Sequence, residues 1–205
     1  MTNPIQILLL DIGEVVLRLD VSRLLQYSKM KHGSLDQSLE FFNHWDVYQR
    51  FEEGKVSPEI FLQALGTGLQ VPVEKARELW NSMVAGPVAG IDLILKRVSV
   101  PVFALTNSNA IHFDDIQRRF GTWDLFRGVF ASHNMGVRKP DAAIYEKVQG
   151  ELGVPPAALL FIDDREENVL GARAAGYSAE RCMKSPDDLE QILLDYGVIA
   201  AALVS

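Results

Sequence analysis

The chain opens on a near-continuous apolar run, Ile5 to Leu10, that stops at an acid, Asp11. An unbroken apolar run of this length predicts a strand buried on both faces, as in a parallel sheet. Three similar runs follow: Val100 to Leu105 before Thr106, Val129 to Ala131 before Ser132, and Leu159 to Ile162 before Asp163 and Asp164. A weaker run near Ser178 to Cys182 predicts a fifth strand. Helical patterns separate them. Ile144, Val148 and Leu152 recur four apart within Asp141 to Leu152. Glu166 to Ala175 runs into Gly176, a residue suited to a left-handed C-cap, and Ser185-Pro186 carries the N-cap serine and first-turn proline of a helix start. Strands alternating with helices predict an α/β fold whose parallel sheet has right-handed crossovers.

Residues 17–86 break this rhythm. No strand pattern is evident there, and helix signals recur. Ser34-Leu-Asp-Gln37 has the form of a capping box. Ser57-Pro58 opens a helix through Ile60, Phe61 and Leu65, and Val73 to Met83 places Ala76, Leu79, Trp80 and Met83 at helical spacing. Gly86-Pro87 marks the return to the alternating pattern. The expected organisation is a Rossmann-like core of residues 1–16 and 87–205, with a small α-helical cap, residues 17–86, inserted after the first strand.

Composition narrows the class of partner. The 205 residues are 48% hydrophobic, enough for one substantial core with a smaller insert. A formal net charge of −7 offers no general attraction to nucleic acid or to an anionic membrane, so an anionic substrate must be captured by local groups. Cys182 stands alone and cannot form an internal disulfide, which fits a reducing compartment. The first residues lack a basic segment before an apolar stretch, and no run approaches the roughly 18 apolar residues of a membrane helix. A cytoplasmic enzyme acting on a small molecule is the expectation.

The polar residues that end the apolar runs carry the chemistry. In an open α/β sheet they fall on one edge, where sites form. Asp11, held at the end of a buried strand, suits a nucleophile or a metal ligand, and Gly13 lets the backbone approach an ion; a strand-ending turn capped by an Asp reads equally well. Thr106-Asn107-Ser108-Asn109 offers a hydroxyl and successive N–H groups for an anion, or a plain N-cap cluster. Lys139, in Arg138-Lys-Pro-Asp141, would supply a compact cation. Asp163-Asp164 place two carboxylates side by side, which is costly unless a cation such as Mg²⁺ or Lys139 lies near; a solvated, acid-rich helix start is the other reading.

An acid, a hydroxyl, a lysine and an acid pair, in that order on one sheet edge, resemble the four motifs of the haloacid dehalogenase-like hydrolases along nearly the whole chain. The helical insert is similar to the cap of the subfamily that includes L-2-haloacid dehalogenases and small phosphatases. Phe51-Glu-Glu-Gly-Lys-Val-Ser57 and Thr106-Asn-Ser-Asn109 look closest to the glucose-1-phosphate phosphatase-like branch. The resemblance implies a Mg²⁺-dependent phosphomonoester hydrolase, with a sugar phosphate among the candidate substrates. Asp11 would be the nucleophile and Lys139 its catalytic cation. Thr106, Asn107 and Lys139 would bind the phosphoryl group. Asp11, the Gly13 carbonyl and Asp164 would hold the metal, with Asp163 in support. One position departs from the pattern: phosphatases of this class carry a second Asp two residues after the nucleophile, and here that residue is Gly13. Glu14 is the nearest carboxylate to fill the role. A metal-free dehalogenase and a binding protein that kept the fold are the rival readings.

Overall fold

The computed structural model describes residues 4–27, 45–183 and 185–200. Its centre is a five-stranded parallel sheet in the order β5-β4-β1-β6-β7, formed by β1 (Ile7–Leu10), β4 (Val102–Thr106), β5 (Val129–Ala131), β6 (Leu159–Asp163) and β7 (Ser178–Arg181). All five expected strands are present. The first strand is central because it is apolar on both faces. Leu8 and Leu10 meet one layer of core, together with Ala104, Leu160 and Ile162, while Ile7 and Leu9 meet the other, with Leu105 and Phe161.

Helices cover both faces. On the first lie α5 (Ile91–Leu95), α6 (Ala110–Phe120) and α10 (Pro186–Asp195), which bury Ile94, Ile116, Leu189 and Leu193. On the second lie α8 (Ala142–Leu152) and α9 (Glu166–Ala174), through Ile144, Tyr145, Val148, Val169 and Ala172. The short α7 (Ser132–Met135) follows β5 directly. Gly176 adopts the expected left-handed conformation, with φ 87°. Two helix starts differ in detail. Ser185 makes no side-chain cap bond ahead of α10. Pro140 lies one residue outside α8, whose cap is the Asp141 carboxylate accepting from the Ala143 N–H.

Residues 17–86 carry two strands that sequence pattern does not announce. β2 (Leu17–Leu19) and β3 (Val84–Pro87) pair antiparallel. At three and four residues they are too short to show a period of two, and Gly86-Pro87 reads as a break until it is seen on an edge strand, where proline is tolerated. Between them lie α1 (Ser22–Tyr27), α2 (Asp46–Glu52), α3 (Pro58–Leu69) and α4 (Val73–Asn81). The Ser34–Gln37 capping box falls outside the described residues. Ser57 caps α3 by accepting from the Ile60 N–H, with Pro58 in the first turn.

These helices have a core of their own, built on Phe51, Phe61, Leu62, Leu65, Leu79 and Trp80, and Ile111 of α6 joins it. Phe51 stacks on Phe61 at 4.2 Å, and Trp80 stacks on His112 of α6 at 4.7 Å. Burial pushes the His112 imidazole down to about 4, so it is neutral at pH 7. Its Nε2 therefore donates to the Trp80 carbonyl at 2.9 Å, while Asn109, the cap of α6, accepts from the Trp80 indole. This histidine joins the helical segment to the sheet and is not a free base. Among the described residues no helix is long and apolar enough to cross a membrane.

Candidate active site

The C-terminal ends of β1, β4 and β6 and the loop before α8 bring Asp11, Thr106, Lys139, Asp163 and Asp164 to one edge of the sheet. The Asp11 N–H continues the sheet by donating to Ile162 O at 2.9 Å, which fixes the first carboxylate against β6. Lys139 is 1% exposed and its ammonium has three acceptors: Asp11 Oδ1 at 2.9 Å, Asp163 Oδ2 at 2.6 Å and Leu105 O at 2.8 Å. Burial works against its charge, yet Asp11 and Asp163 more than offset this and raise its pKa. All three N–H donors are thus occupied, so Lys139 serves the site as a buried charge that fixes Asp11.

Asp163 is fully buried and committed to the protein. Its two oxygens accept from Lys139, from the Asn168 amide at 3.0 Å and from the Arg165 N–H at 2.8 Å. Asp164 is less buried and faces the cavity that Asp11 also lines. Carboxylate oxygens of Asp11, Asp163 and Asp164 lie within 4.8 Å of one another. Burial pushes Asp11 up to about 7; Lys139 pulls it back, and Asp163 and Asp164 push it up again. Among the described residues three carboxylates crowd this corner around Lys139. The oxygen-only donor set suits a hard divalent cation that uses few protein carboxylates, as Mg²⁺ does.

Two loops carry the remaining residues. Asn107 spans to the lysine loop: its Nδ2 donates to Lys139 O at 2.9 Å and its Oδ1 accepts from Lys139 N–H at 2.8 Å. Its side chain therefore positions Lys139. Ser132, at the end of β5, donates to Ser108 O and accepts from Ser108 N–H, both at 3.0 Å, which shapes the loop after Thr106. The Thr106 hydroxyl makes only a limiting 3.5 Å contact to Asn107 O. After β1 the chain folds back sharply, with Glu14 N–H donating to Leu17 O at 2.7 Å and Glu14 itself at φ 60°. Glu14 Oε1 accepts from the Leu19 N–H at 2.8 Å, and Oε2 lies 3.7 Å from Arg18. Gly13 is not strained: a Cβ there would meet Leu19 Cδ1 at 3.4 Å and Asp11 Oδ2 at 4.0 Å.

Above this floor the helical segment forms a wall. A cavity of about 110 Å³ is lined by Asp11, Glu14, Lys139 and Asp164 below and by Tyr48, Glu52, Trp80 and Met83 above. A contiguous space of about 90 Å³ shares that wall and reaches Thr106. Sequence alone does not single out Glu52, which is 3% exposed. The Tyr48 hydroxyl donates to its Oε1. Its Oε2 faces Arg138 at 3.0 Å without the alignment of a hydrogen bond. The available signal was an acid one turn after Tyr48 and beside Phe51, on the buried face of a helix. Arg138 was marked only by being next to Lys139. Trp45 and Arg50, on or beside the same helix, do not line either cavity.

The fold and this site define a class. A profile of the haloacid dehalogenase-like hydrolases matches residues 89–176. The chain is 32% identical over 136 residues to a sesquiterpene phosphatase of Aspergillus oryzae, covering 64% of this chain and 69% of that protein. It is 24% identical over 180 residues to a D-ribitol-5-phosphate phosphatase of Bacteroides thetaiotaomicron, covering 82% of this chain and 86% of the relative. A crystal structure of a haloacid dehalogenase family enzyme from Bacteroides thetaiotaomicron, in complex with magnesium and inorganic phosphate, superposes with a TM-score of 0.73 at 28% identity, over 86% of this chain and 93% of that one. The chain belongs to the haloacid dehalogenase-like hydrolases. It is a hydrolase of the phosphatase type.

Proposed function

We propose that this protein hydrolyses a small-molecule phosphomonoester with Mg²⁺, through an aspartyl-phosphate on Asp11. The observation that carries the reading is the Lys139 ammonium set between Asp11 and Asp163, with Asp164 facing the same space. Lys139 and the backbone anchor of Asp11 hold one carboxylate oxygen still, so the other is presented to phosphorus in a fixed direction. Attack forms the Asp11 O–P bond as the ester P–O bond breaks, and the electron pair leaves with the alcohol oxygen. Water then attacks phosphorus and releases Asp11. The Thr106 hydroxyl and the Asn107 N–H would orient the phosphoryl oxygens. Asp11, the Gly13 carbonyl and Asp164 would hold Mg²⁺, which when bound offsets the negative charge of the phosphoryl group. Residues 17–86 act in this reading as a cap that excludes water and shapes the leaving-group space.

Leu19, Trp80 and Met83 supply carbon to a lining that also holds Tyr48, Glu52 and Arg138, which supports testing apolar leaving groups beside the sugars that the branch resemblance pointed to. A test panel therefore sets alkyl and prenyl phosphates beside sugar and pentitol phosphates and p-nitrophenyl phosphate. Each is assayed for phosphate release with Mg²⁺ or EDTA, for wild type and for Asp11→Asn. Release that needs both Mg²⁺ and Asp11 is the expected result. Release that persists in Asp11→Asn would overturn the mechanism, and chloride release from a 2-haloacid without Mg²⁺ would put the dehalogenase reading in its place.

A further inference from the structure

In-line displacement sets where the proton donor must stand. The leaving oxygen departs from the face of phosphorus opposite the attacking carboxylate. Asp11 lies on the floor of the cavity, at the end of β1, so the leaving oxygen points at the wall formed by Tyr48, Glu52, Trp80 and Met83. Among the described residues four acids line the cavity. Asp11 is the nucleophile of the proposed reaction and Asp164 a ligand of its cation. Glu14 is on the floor loop, with one oxygen held by the Leu19 N–H and the other facing Arg18. Gly13 has no side chain. Glu52 is the acid that belongs to the opposite wall.

Its surroundings fit the task. Glu52 is 3% exposed, and Tyr48 occupies Oε1, which fixes the carboxyl plane. Oε2 is ion-paired with the Arg138 guanidinium at 3.0 Å and has no hydrogen-bond partner among the described residues. We propose that Glu52 is the general acid and base of this enzyme, taking the place of the carboxylate missing at Gly13; this rests on the phosphatase reading above. In the first half-reaction the Asp11 O–P bond forms, the ester P–O bond breaks, and the alcohol oxygen takes the proton from Glu52 Oε2. In the second, the Glu52 carboxylate takes a proton from water as its oxygen bonds to phosphorus and the Asp11 O–P bond breaks. Glu52 ends protonated and inorganic phosphate leaves. Burial raises the Glu52 pKa from its ordinary value, and Arg138, the Tyr48 hydrogen bond, Arg165 and Lys139 oppose that rise.

The experiment compares an alkyl phosphate, whose alcohol needs a proton to leave, with p-nitrophenyl phosphate, whose phenolate does not. In Glu52→Gln, kcat on the alkyl ester should fall by about 10²–10⁴-fold and kcat on the aryl ester by far less. Adding Gly13→Asp to that variant should restore the alkyl ester, because the Gly13 Cβ site has ordinary contact distances and lies 4.0 Å from Asp11 Oδ2. A parallel loss on both esters, or no loss on either, overturns the proposal, since a residue that merely braces Arg138 would not sense the leaving group. If Glu52→Gln does not fold, the wild type still decides: kcat across alcohols of rising pKa should vary weakly with a donor present, and a steep decline overturns the assignment. A wild type that releases no phosphate from the aryl ester in an Asp11-dependent way refutes the phosphatase reading itself and is thereby told apart from a failure of Glu52.

Discussion

Replacing Lys139 by methionine isolates what one buried charge does for this fold. The stem volume is kept and the ammonium is lost from between two carboxylates, one 8% exposed and the other fully buried. Removing one partner of a buried ion pair costs about 3–5 kcal/mol, because the remaining charge is left uncompensated. Two carboxylates are affected here, but unequally. Asp163 keeps the Asn168 amide and the Arg165 N–H, so its charge retains hydrogen bonds. Asp11 loses its cation and takes up a proton instead. The expected cost is therefore that of one pair, about 3–5 kcal/mol, and for a chain of this size a fall in Tm of about 6–20 °C. Calorimetry and urea melts in EDTA at pH 7 would measure it, beside Asp163→Asn and the double variant. The double variant should lose less than the sum of the two, because both members of the pair are gone. The gap from wild type should narrow on going from pH 7 to pH 5. In Lys139→Met the folded Asp11 carboxylate loses the cation that lowers its pKa, so the folded state binds the extra proton and its stability is lost as pH rises. A loss below about 1 kcal/mol with no pH dependence would refute the view that Lys139 is what allows these acids to be buried together.

Two further outcomes follow from the same geometry. In metal-free wild type, Asp11 is pushed up to about 7, so its contribution to stability is present below the ordinary carboxylate range and lost as pH rises through about 7. The Tm in EDTA should fall from pH 5 to pH 8, and Mg²⁺ should raise it more at pH 8 than at pH 5; a pH-independent Mg²⁺ shift in a thermal scan would contradict this. Gly54 has φ 67° and its Cβ position lies 2.1 Å from His133 O, whereas Gly153 has φ 66° and open space. Gly54→Ala should therefore cost about 2–4 kcal/mol from strain plus overpacking, and Gly153→Ala only about 1 kcal/mol from strain, as read by urea denaturation. Equal losses would show that the turn at Gly54 does not press on His133.

The floor of the site was legible in the sequence for a topological reason. Parallel strands all end on the same edge, so polar residues that close apolar runs must converge there, and Asp11, Thr106, Asp163 and Asp164 do. Lys139 was legible only through the family pattern, since nothing local distinguishes a buried lysine from a solvated one. The wall was not legible. Tyr48, Glu52, Trp80 and Met83 are spaced as the inner face of helices and do pack there; their second surface, toward the cavity, depends on how the helical segment meets the sheet. Arg138 and Glu52 are far apart in the chain, and only the folded contact pairs them. β2 and β3 were invisible for want of length, yet they deliver Leu19 to the space beside Gly13.

That placement bears on how catalysis is assembled. With a carboxylate at position 13, nucleophile and acid would share one loop and keep their spacing whatever the cap does. With Gly13 and Glu52 they belong to different elements. Their spacing is then set by the contacts between the helical segment and the rest of the chain: Glu52 with Arg138, the Gly54 turn against His133, and Trp80 with Asn109 and His112. If Glu52 is the proton donor as proposed, leaving-group protonation depends on how the helical segment sits on the sheet. Gly54→Ala, which pushes on the same corner, should accordingly depress turnover of an alkyl phosphate more than that of p-nitrophenyl phosphate, even where the protein remains folded. Equal depression of both would mean that the helical segment carries no part of the proton transfer.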